Sequence, residues 1–116
     1  MIPTHKFERV LLREHQLLAV DTTRLRHTLS REFGGSEAEL RVVVRQASDL
    51  VDSGKTVSDR GAELTVDEVV GHLTDAPDGS DLIERWNWWM GALDVAYGGY
   101  EQFSVRFVRD EPGVNT

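Results

Sequence analysis

The stretch that decides the fold is SDLIERWNWWMGALDVAYGG, residues 80–99, which holds all three tryptophans of the chain. Its apolar side chains recur every three or four residues, so they form one helical face over four turns. Ser80 or Asp81 can cap the first amide groups, and Gly98 can end the helix. The pattern predicts a core helix over residues 81–97, whose apolar face comprises Ile83, Trp86, Met90, Leu93 and Tyr97, widened by Leu82, Trp89 and Ala96.

Trp88 falls outside this apolar face. It projects on the side of the helix that carries Asp81, Glu84 and Arg85, where a large aromatic side chain is unusual. Two interpretations stay open. Trp88 is either a surface anchor for a partner, or a core residue that packs under the N-terminal helix or the C-terminal strand of its own chain.

The composition bounds the class of protein. A chain of 116 residues with 40% apolar residues is a single domain that can bury a core by itself. The absence of cysteine excludes disulfides and thiolate chemistry, and it fits a cytoplasmic location. No apolar run is long enough to span a membrane, and the N-terminus lacks the apolar centre of a signal peptide. The net charge of −7 disfavours non-specific attraction to nucleic acid or anionic lipid.

The first third of the chain predicts a long amphipathic helix, over about residues 5–33. Its apolar seam includes Leu11, Leu18 and Leu25, with charged residues on both flanks. The alternative interpretation breaks this helix at Asp21, because the sequence there resembles an N-cap. A narrow seam between charged flanks suits packing on a partner or on the helix's own domain.

Two further helices begin with capping boxes, each a serine or threonine three residues before a glutamate. Ser36 opens a helix predicted over residues 37–52, and Thr65 opens one predicted over residues 66–74. Three successive valines at 42–44 would also suit a strand, but the helical phase continues well past them. We therefore predict helices in both places.

The remaining segments predict turn and extended structure. Residues 55–64 favour turn or extended chain, with a β-turn at 58–61. Beyond the double glycine, the run YEQFSVRFV alternates apolar and polar residues, which predicts a strand over residues 100–108. The tail at 110–116 carries Pro, Gly and Asn and is predicted to fray.

No motif predicts a catalytic residue, a metal or a cofactor. Residues 54–56, Gly-Lys-Thr, match the end of a phosphate-binding loop, but Asp49 stands where that loop needs a glycine, so Gly54 is interpreted as a helix C-cap. The four histidines never share the three- or four-residue spacing of a helical metal site. The aspartates of loop 75–81 do not follow the order of an EF-hand, and no nucleophile elbow is present. These observations favour a protein without enzymatic activity.

One short stretch, LTVDEVVGHL at residues 64–73, resembles known families. It is similar to the short helix of DinB-like four-helix bundles, and equally to the second helix of many helix-turn-helix regulators. The first resemblance implies a metal-ligand role for His72. However, Leu64 replaces the tryptophan of that helix and no paired histidines follow His72, so we predict no metal site.

Together these patterns predict a mainly α domain, with α+β as the alternative. We expect four to five helices and a C-terminal strand or hairpin, with a winged-helix arrangement from residue 36 onward. A single domain over residues 1–116 would then hold the long first helix, a helical core with the strand over residues 36–109, and the tail.

The predicted function is a non-enzymatic protein-interaction or assembly subunit, with itself or another protein as partner. Its predicted interface residues are Trp88, Arg85, Tyr100, Leu11, Leu18 and Leu25. The alternative is a winged-helix regulator that meets DNA through Arg85, Asn87, Arg106 and Arg109. Nucleic acid is the less favoured partner, because the helix over 81–97 exposes acidic side chains and a single arginine. No membrane partner is predicted.

Overall fold

The computed structural model describes residues 21–106 of the chain. This part is mainly α, as the sequence predicts, and it contains no strand. None of its helices is long and apolar enough to cross a membrane. The five α-helices are α1 (Thr22–Phe33), α2 (Glu37–Ser53), α3 (Lys55–Arg60), α4 (Val66–Thr74) and α5 (Leu82–Tyr97), and a 3-10 turn follows at Glu101–Phe103.

The helices form two packed pairs. α1 packs against α2 and α4 packs against α5, and the pairs meet through contacts of α2 with α5 and of α1 with α4. α3 lies against α2, and the 3-10 turn lies against both α2 and α5. The predicted tryptophan helix, α5, therefore contacts its own partner helix, the first pair and the end of the described chain.

Local sequence explains where three of the helices begin. Before each helix, the side chain of the N-cap residue accepts a hydrogen bond from the backbone amide of a glutamate three residues later. The side chain of that glutamate accepts a hydrogen bond from the backbone amide of the N-cap residue. Because each box satisfies amides that would otherwise be unpaired, these helix starts are fixed by neighbouring residues. The boxes at Ser36 and Thr65 confirm the sequence prediction. The three pairs are Ser36 with Glu39, Thr65 with Glu68 and Asp81 with Glu84.

Apolar side chains of α1, α2, α4 and α5 fill the core, together with Tyr100, Phe103 and Val105 in and around the 3-10 turn. The loop between α1 and α2 approaches this core closely, because a β-carbon at Gly35 would lie 3.3 Å from a methyl group of Leu82. Gly35 also has a φ of 108°, so it is suited to this loop on both counts. The largest fully buried side chains are Trp86, Tyr100, Leu25, Leu29, Leu50, Leu73, Leu82 and Met90.

Within the described residues, the first helix is α1. α1 starts at Thr22, and Asp21 occupies the N-cap position, although its side chain makes no capping hydrogen bond. This start coincides with the break in the alternative interpretation of the helix over 5–33. The earlier part of that helix, with Leu11 and Leu18, lies outside the described residues.

The β-turn predicted at residues 58–61 is wrong, because residues 55–60 form α3. Gly54 does end α2 in the left-handed conformation, with φ 74°, as predicted for a C-cap. The chain then resumes as a helix at once. Thr56 points into the core and is 1% exposed. Its burial, which the polar sequence does not reveal, supports a short helix that would be unstable alone.

The predicted strand over 100–108 is also wrong in its described part, where residues 101–103 form the 3-10 turn. The alternation in the sequence does have a structural basis, because Phe103 and Val105 are buried. Their backbone groups bind side chains of α5 in place of a neighbouring strand. Since residues 21–106 contain no strand, the winged-helix arrangement is not confirmed.

Candidate functional site

Two of the three tryptophans of α5 belong to the core. Trp86 is fully buried, and its indole Nε1 donates a hydrogen bond to the carbonyl of Phe103 over 2.8 Å. Its ring meets Trp89 edge to face, with 5.5 Å between the centroids. Trp89 in turn stacks flat on His72, with 4.7 Å between ring centroids. Leu82, Met90 and Leu93 are buried beside these tryptophans, which confirms most of the predicted apolar face. Its last turn is predicted wrongly, because Ala96 is exposed and Tyr97 keeps 48% of its surface exposed.

The side chain of Asn87 binds the backbone of Val105, which follows the 3-10 turn. Its Nδ2 donates to the carbonyl of Val105, and its Oδ1 accepts from the amide of Val105, each over 2.8 Å. A side-chain amide that binds both backbone groups of one residue imitates the pairing of two antiparallel strands. With the bond from Trp86 to Phe103, adjacent residues of α5 thus hold the segment 103–105.

From Trp88 to Val95 the outer face of α5 is apolar although it lies in solvent, whereas one turn earlier the same face carries the exposed Glu84. Four exposed residues lie opposite the core, and we call them the outer stripe: Trp88, Gly91, Ala92 and Val95. Trp88 keeps 41% of its surface exposed and Val95 keeps 89%. The solvated face of a helix normally carries charged and polar residues, so a stripe of four uncharged residues is unusual.

The exposure of Trp88 favours its interpretation as a surface residue. Within residues 21–106, no segment encloses its indole. Val95 lies almost two turns further along the same face and is more exposed still. The outer stripe therefore presents an aromatic and a branched apolar side chain to the surroundings.

Gly91 lies in the middle of the outer stripe, and no contact within the described residues explains why this residue is a glycine. No described atom lies within 4 Å of a β-carbon built there, and the residue is inside a regular helix. Glycine in a helix interior is less favourable than alanine by roughly 0.8–1 kcal/mol. Among residues 21–106, no contact requires glycine at this position.

Arg85, a predicted interface residue, has a structural role. Its guanidinium donates to the carbonyls of Ser80 and Leu73, over 3.0 and 2.9 Å. The same group lies over the ring of Phe33, 5.0 Å from the centroid. These contacts join α5 to α1 and α4, and the contact of Arg85 with a partner or DNA stays a prediction.

Tyr100, another predicted interface residue, lies in the core. Its hydroxyl donates to the carboxylate of Asp59 over 2.9 Å, and Lys55 binds the same carboxylate at 3.2 Å. Burial, together with this carboxylate, raises the pKa of Tyr100 to about 12. Leu25 is likewise buried, at 2% exposed. Both residues stabilise the fold from within, which corrects their predicted place at an interface.

His72 packs against Trp89 and is half-buried. Burial lowers its pKa, and the positive charge of Arg60 acts in the same direction. Within residues 21–106, no three His, Cys, Asp or Glu side chains lie close enough together to hold a metal. In the described structure His72 is therefore a stacking partner for a core tryptophan.

A second surface feature lies between α1 and α2, an open cavity of about 400 Å³. Arg26 forms an ion pair with Glu37 there. Neither Arg41 nor Arg45 has an ion-pair partner among residues 21–106. The cavity offers positive charge without an exposed aromatic anchor, so the outer stripe is the stronger candidate for contact with a protein. The lining residues are Thr22, Arg26, Glu37, Arg41, Val44 and Arg45.

Comparison with known families matches the WNWW domain over residues 9–94. This span covers about three quarters of the chain. The chain belongs to the WNWW domain family. No curated protein and no solved structure matches it.

In this WNWW domain the four letters of the family name are residues 86–89, and each has its own surroundings. Trp86 and Trp89 are core residues, Asn87 holds the chain at Val105, and Trp88 is exposed. Helical periodicity separates the buried tryptophans from the exposed one. It gives no signal for the role of Asn87, because its partner lies 18 residues further along the chain.

Proposed function

We propose that this WNWW domain works by binding another protein chain through the outer stripe of α5. The observation that carries the proposal is an apolar helix face in solvent, with Trp88 at 41% and Val95 at 89% exposed. Contiguous exposed apolar surface marks interaction sites, and tryptophan is among the residues that contribute most to protein interfaces. The absence of cysteine in the chain supports a place in a reducing compartment such as the cytoplasm.

The rigidity of α5 also supports this proposal. Its inner face is held by buried tryptophans, and its start is held by the capping box at Asp81. A partner would therefore meet a surface that is already ordered, which reduces the entropy lost on binding. The function proposed is recognition, with no chemical step.

The test is capture of a partner from cells of the host with the intact chain, compared among variants. Trp88→Ser and Val95→Glu should abolish capture, because they remove the anchor or bring a charge into an apolar contact. Val57→Glu is the matched control, since Val57 is a similarly apolar residue, 40% exposed, on α3. If all three variants capture the same proteins as the original chain, the outer stripe is not the interface.

DNA binding, the alternative from the sequence, has weaker support. Arg85 and Asn87 are occupied by backbone groups of their own chain, and Arg109 lies outside the described residues. The outer face of α5 then offers no basic side chain to a groove, where several are usually needed. Binding to duplex DNA that weakens steeply with salt would restore this alternative.

A further inference from the structure

Resting on the proposed function, we propose that the partner of the outer stripe is a second copy of this chain. The two α5 helices run antiparallel, and a two-fold axis passes between Gly91 and Ala92. In this register Trp88 of each copy faces Val95 of the other, and the small residues meet at the centre. A two-fold contact requires one surface that is complementary to itself, and the outer stripe has this property about its midpoint.

The glycine at the centre supports this arrangement. Gly91 has open space around it and no conformational need for glycine within its own helix. A second helix packed against Gly91 would explain the glycine, because only a small residue lets two helix backbones approach closely. Ala92 beside it keeps the same part of the contact narrow.

The charge of the chain also favours this surface for self-contact. Each copy carries a net charge of −7, so most faces of two copies would repel one another. The outer stripe has no charged residue, and Glu84 lies one turn before its start. Two copies can therefore meet there without placing carboxylates opposite each other.

The area of the stripe predicts how tight the contact is. From the exposure of Trp88 and Val95, the stripe offers on the order of 300 Å² per copy, below the roughly 800 Å² per partner of a standard interface. A stable, obligate dimer needs more than this. We therefore expect a weak, reversible dimer that forms only at high protein concentration.

Single cysteines test the register, because the chain has none of its own. Gly91→Cys should form a disulfide-linked dimer under mild oxidation, since the two copies of residue 91 lie beside the axis. Val95→Cys should not, because the antiparallel register separates its two copies by seven residues, or about 10 Å. Gly71→Cys is the matched control, since Gly71 is also an exposed glycine inside a helix with open space around it.

Analytical ultracentrifugation of the full chain, up to about 1 mM, tests the contact without chemistry. Gly91→Leu should weaken dimerisation at least tenfold, whereas Gly71→Leu should dimerise like the original chain. Both variants have room for the new side chain in the monomer, so both should keep the original circular dichroism spectrum.

Two results would overturn the inference. The first is an original chain that stays monomeric at about 1 mM, with Gly91→Cys cross-linking no faster than Gly71→Cys. The second is equal cross-linking at positions 91 and 95, which would require parallel helices. If self-association fails but partner capture still depends on Trp88, the proposed function stands and only the identity of the partner is wrong.

Discussion

At the scale of single residues, Tyr100 links protonation to stability. Its pKa is raised to about 12 by burial and by the Asp59 carboxylate, which accepts its hydroxyl hydrogen bond. The unfolded chain has the ordinary value near 10, so the folded state holds this proton more tightly. The contribution is therefore complete below about pH 10 and is lost as the pH rises through about 12.

We expect Tyr100→Phe to lower the free energy of unfolding at neutral pH by about 1.5–3 kcal/mol, through loss of a hydrogen bond to a charged group. The difference from the original chain should shrink between about pH 10 and 12. Denaturant titrations across this range measure it. Tyr97→Phe, at a half-exposed ring, is the control. A difference at Tyr100 that stays constant up to pH 12 would contradict this account.

At the scale of the helix, the register of α5 predicts two different outcomes among its three tryptophans. Trp86→Ala and Trp89→Ala should each lower the free energy of unfolding by roughly 3–5 kcal/mol, because both side chains are buried. Trp88→Ala should change it by less than about 1 kcal/mol, since its indole is 41% exposed. Thermal melts of the three variants measure this. Equal losses at all three positions would mean that α5 is covered on every side.

The elements that could be predicted from sequence are those whose cause is local. Helical spacing, together with a capping residue and a nearby glutamate, predicts three helices from residues only a few positions apart: α2, α4 and α5. α3 could not be predicted, because the burial of Thr56 depends on distant contacts. The strand was predicted wrongly because alternation at Phe103 and Val105 reports burial, but it does not identify what pairs with the backbone. The partners are Trp86 for Phe103 and Asn87 for Val105, both on α5.

The same distinction applies to the candidate site. The phase of α5 indicates from sequence that Trp88 stands apart from the buried face. Sequence does not show that Tyr100 and Arg85 are occupied within the fold, because their partners lie on α3 and α4 and in the loop before α5. Helical spacing can thus predict that Trp88 lies off the buried face. Whether a side chain already has hydrogen-bond partners within the fold is known only from the tertiary structure.

At the scale of the whole molecule, charge and contact surface predict opposite responses to salt for the two functions considered. Self-association through an uncharged stripe on a chain of net charge −7 should strengthen a few fold between about 20 mM and 500 mM salt, because screening reduces repulsion between the copies. DNA binding should weaken steeply over the same range. Sedimentation equilibrium at several salt concentrations measures the first response. A dimer that dissociates as salt is added would indicate ionic contacts away from the outer stripe.

The hydrogen bonds from Trp86 and Asn87 to residues 103–105 have a consequence for where the domain can be cut. The family match ends at residue 94, yet the indole and the amide at the centre of that match find their partners beyond it. A chain shortened to residue 94 would leave a buried donor unsatisfied and would lose Tyr100 and Phe103 from the core. We expect it to lack the near-ultraviolet dichroism of packed tryptophans, whereas a chain ending at residue 106 should retain it. The family match thus ends before the residues that complete the core.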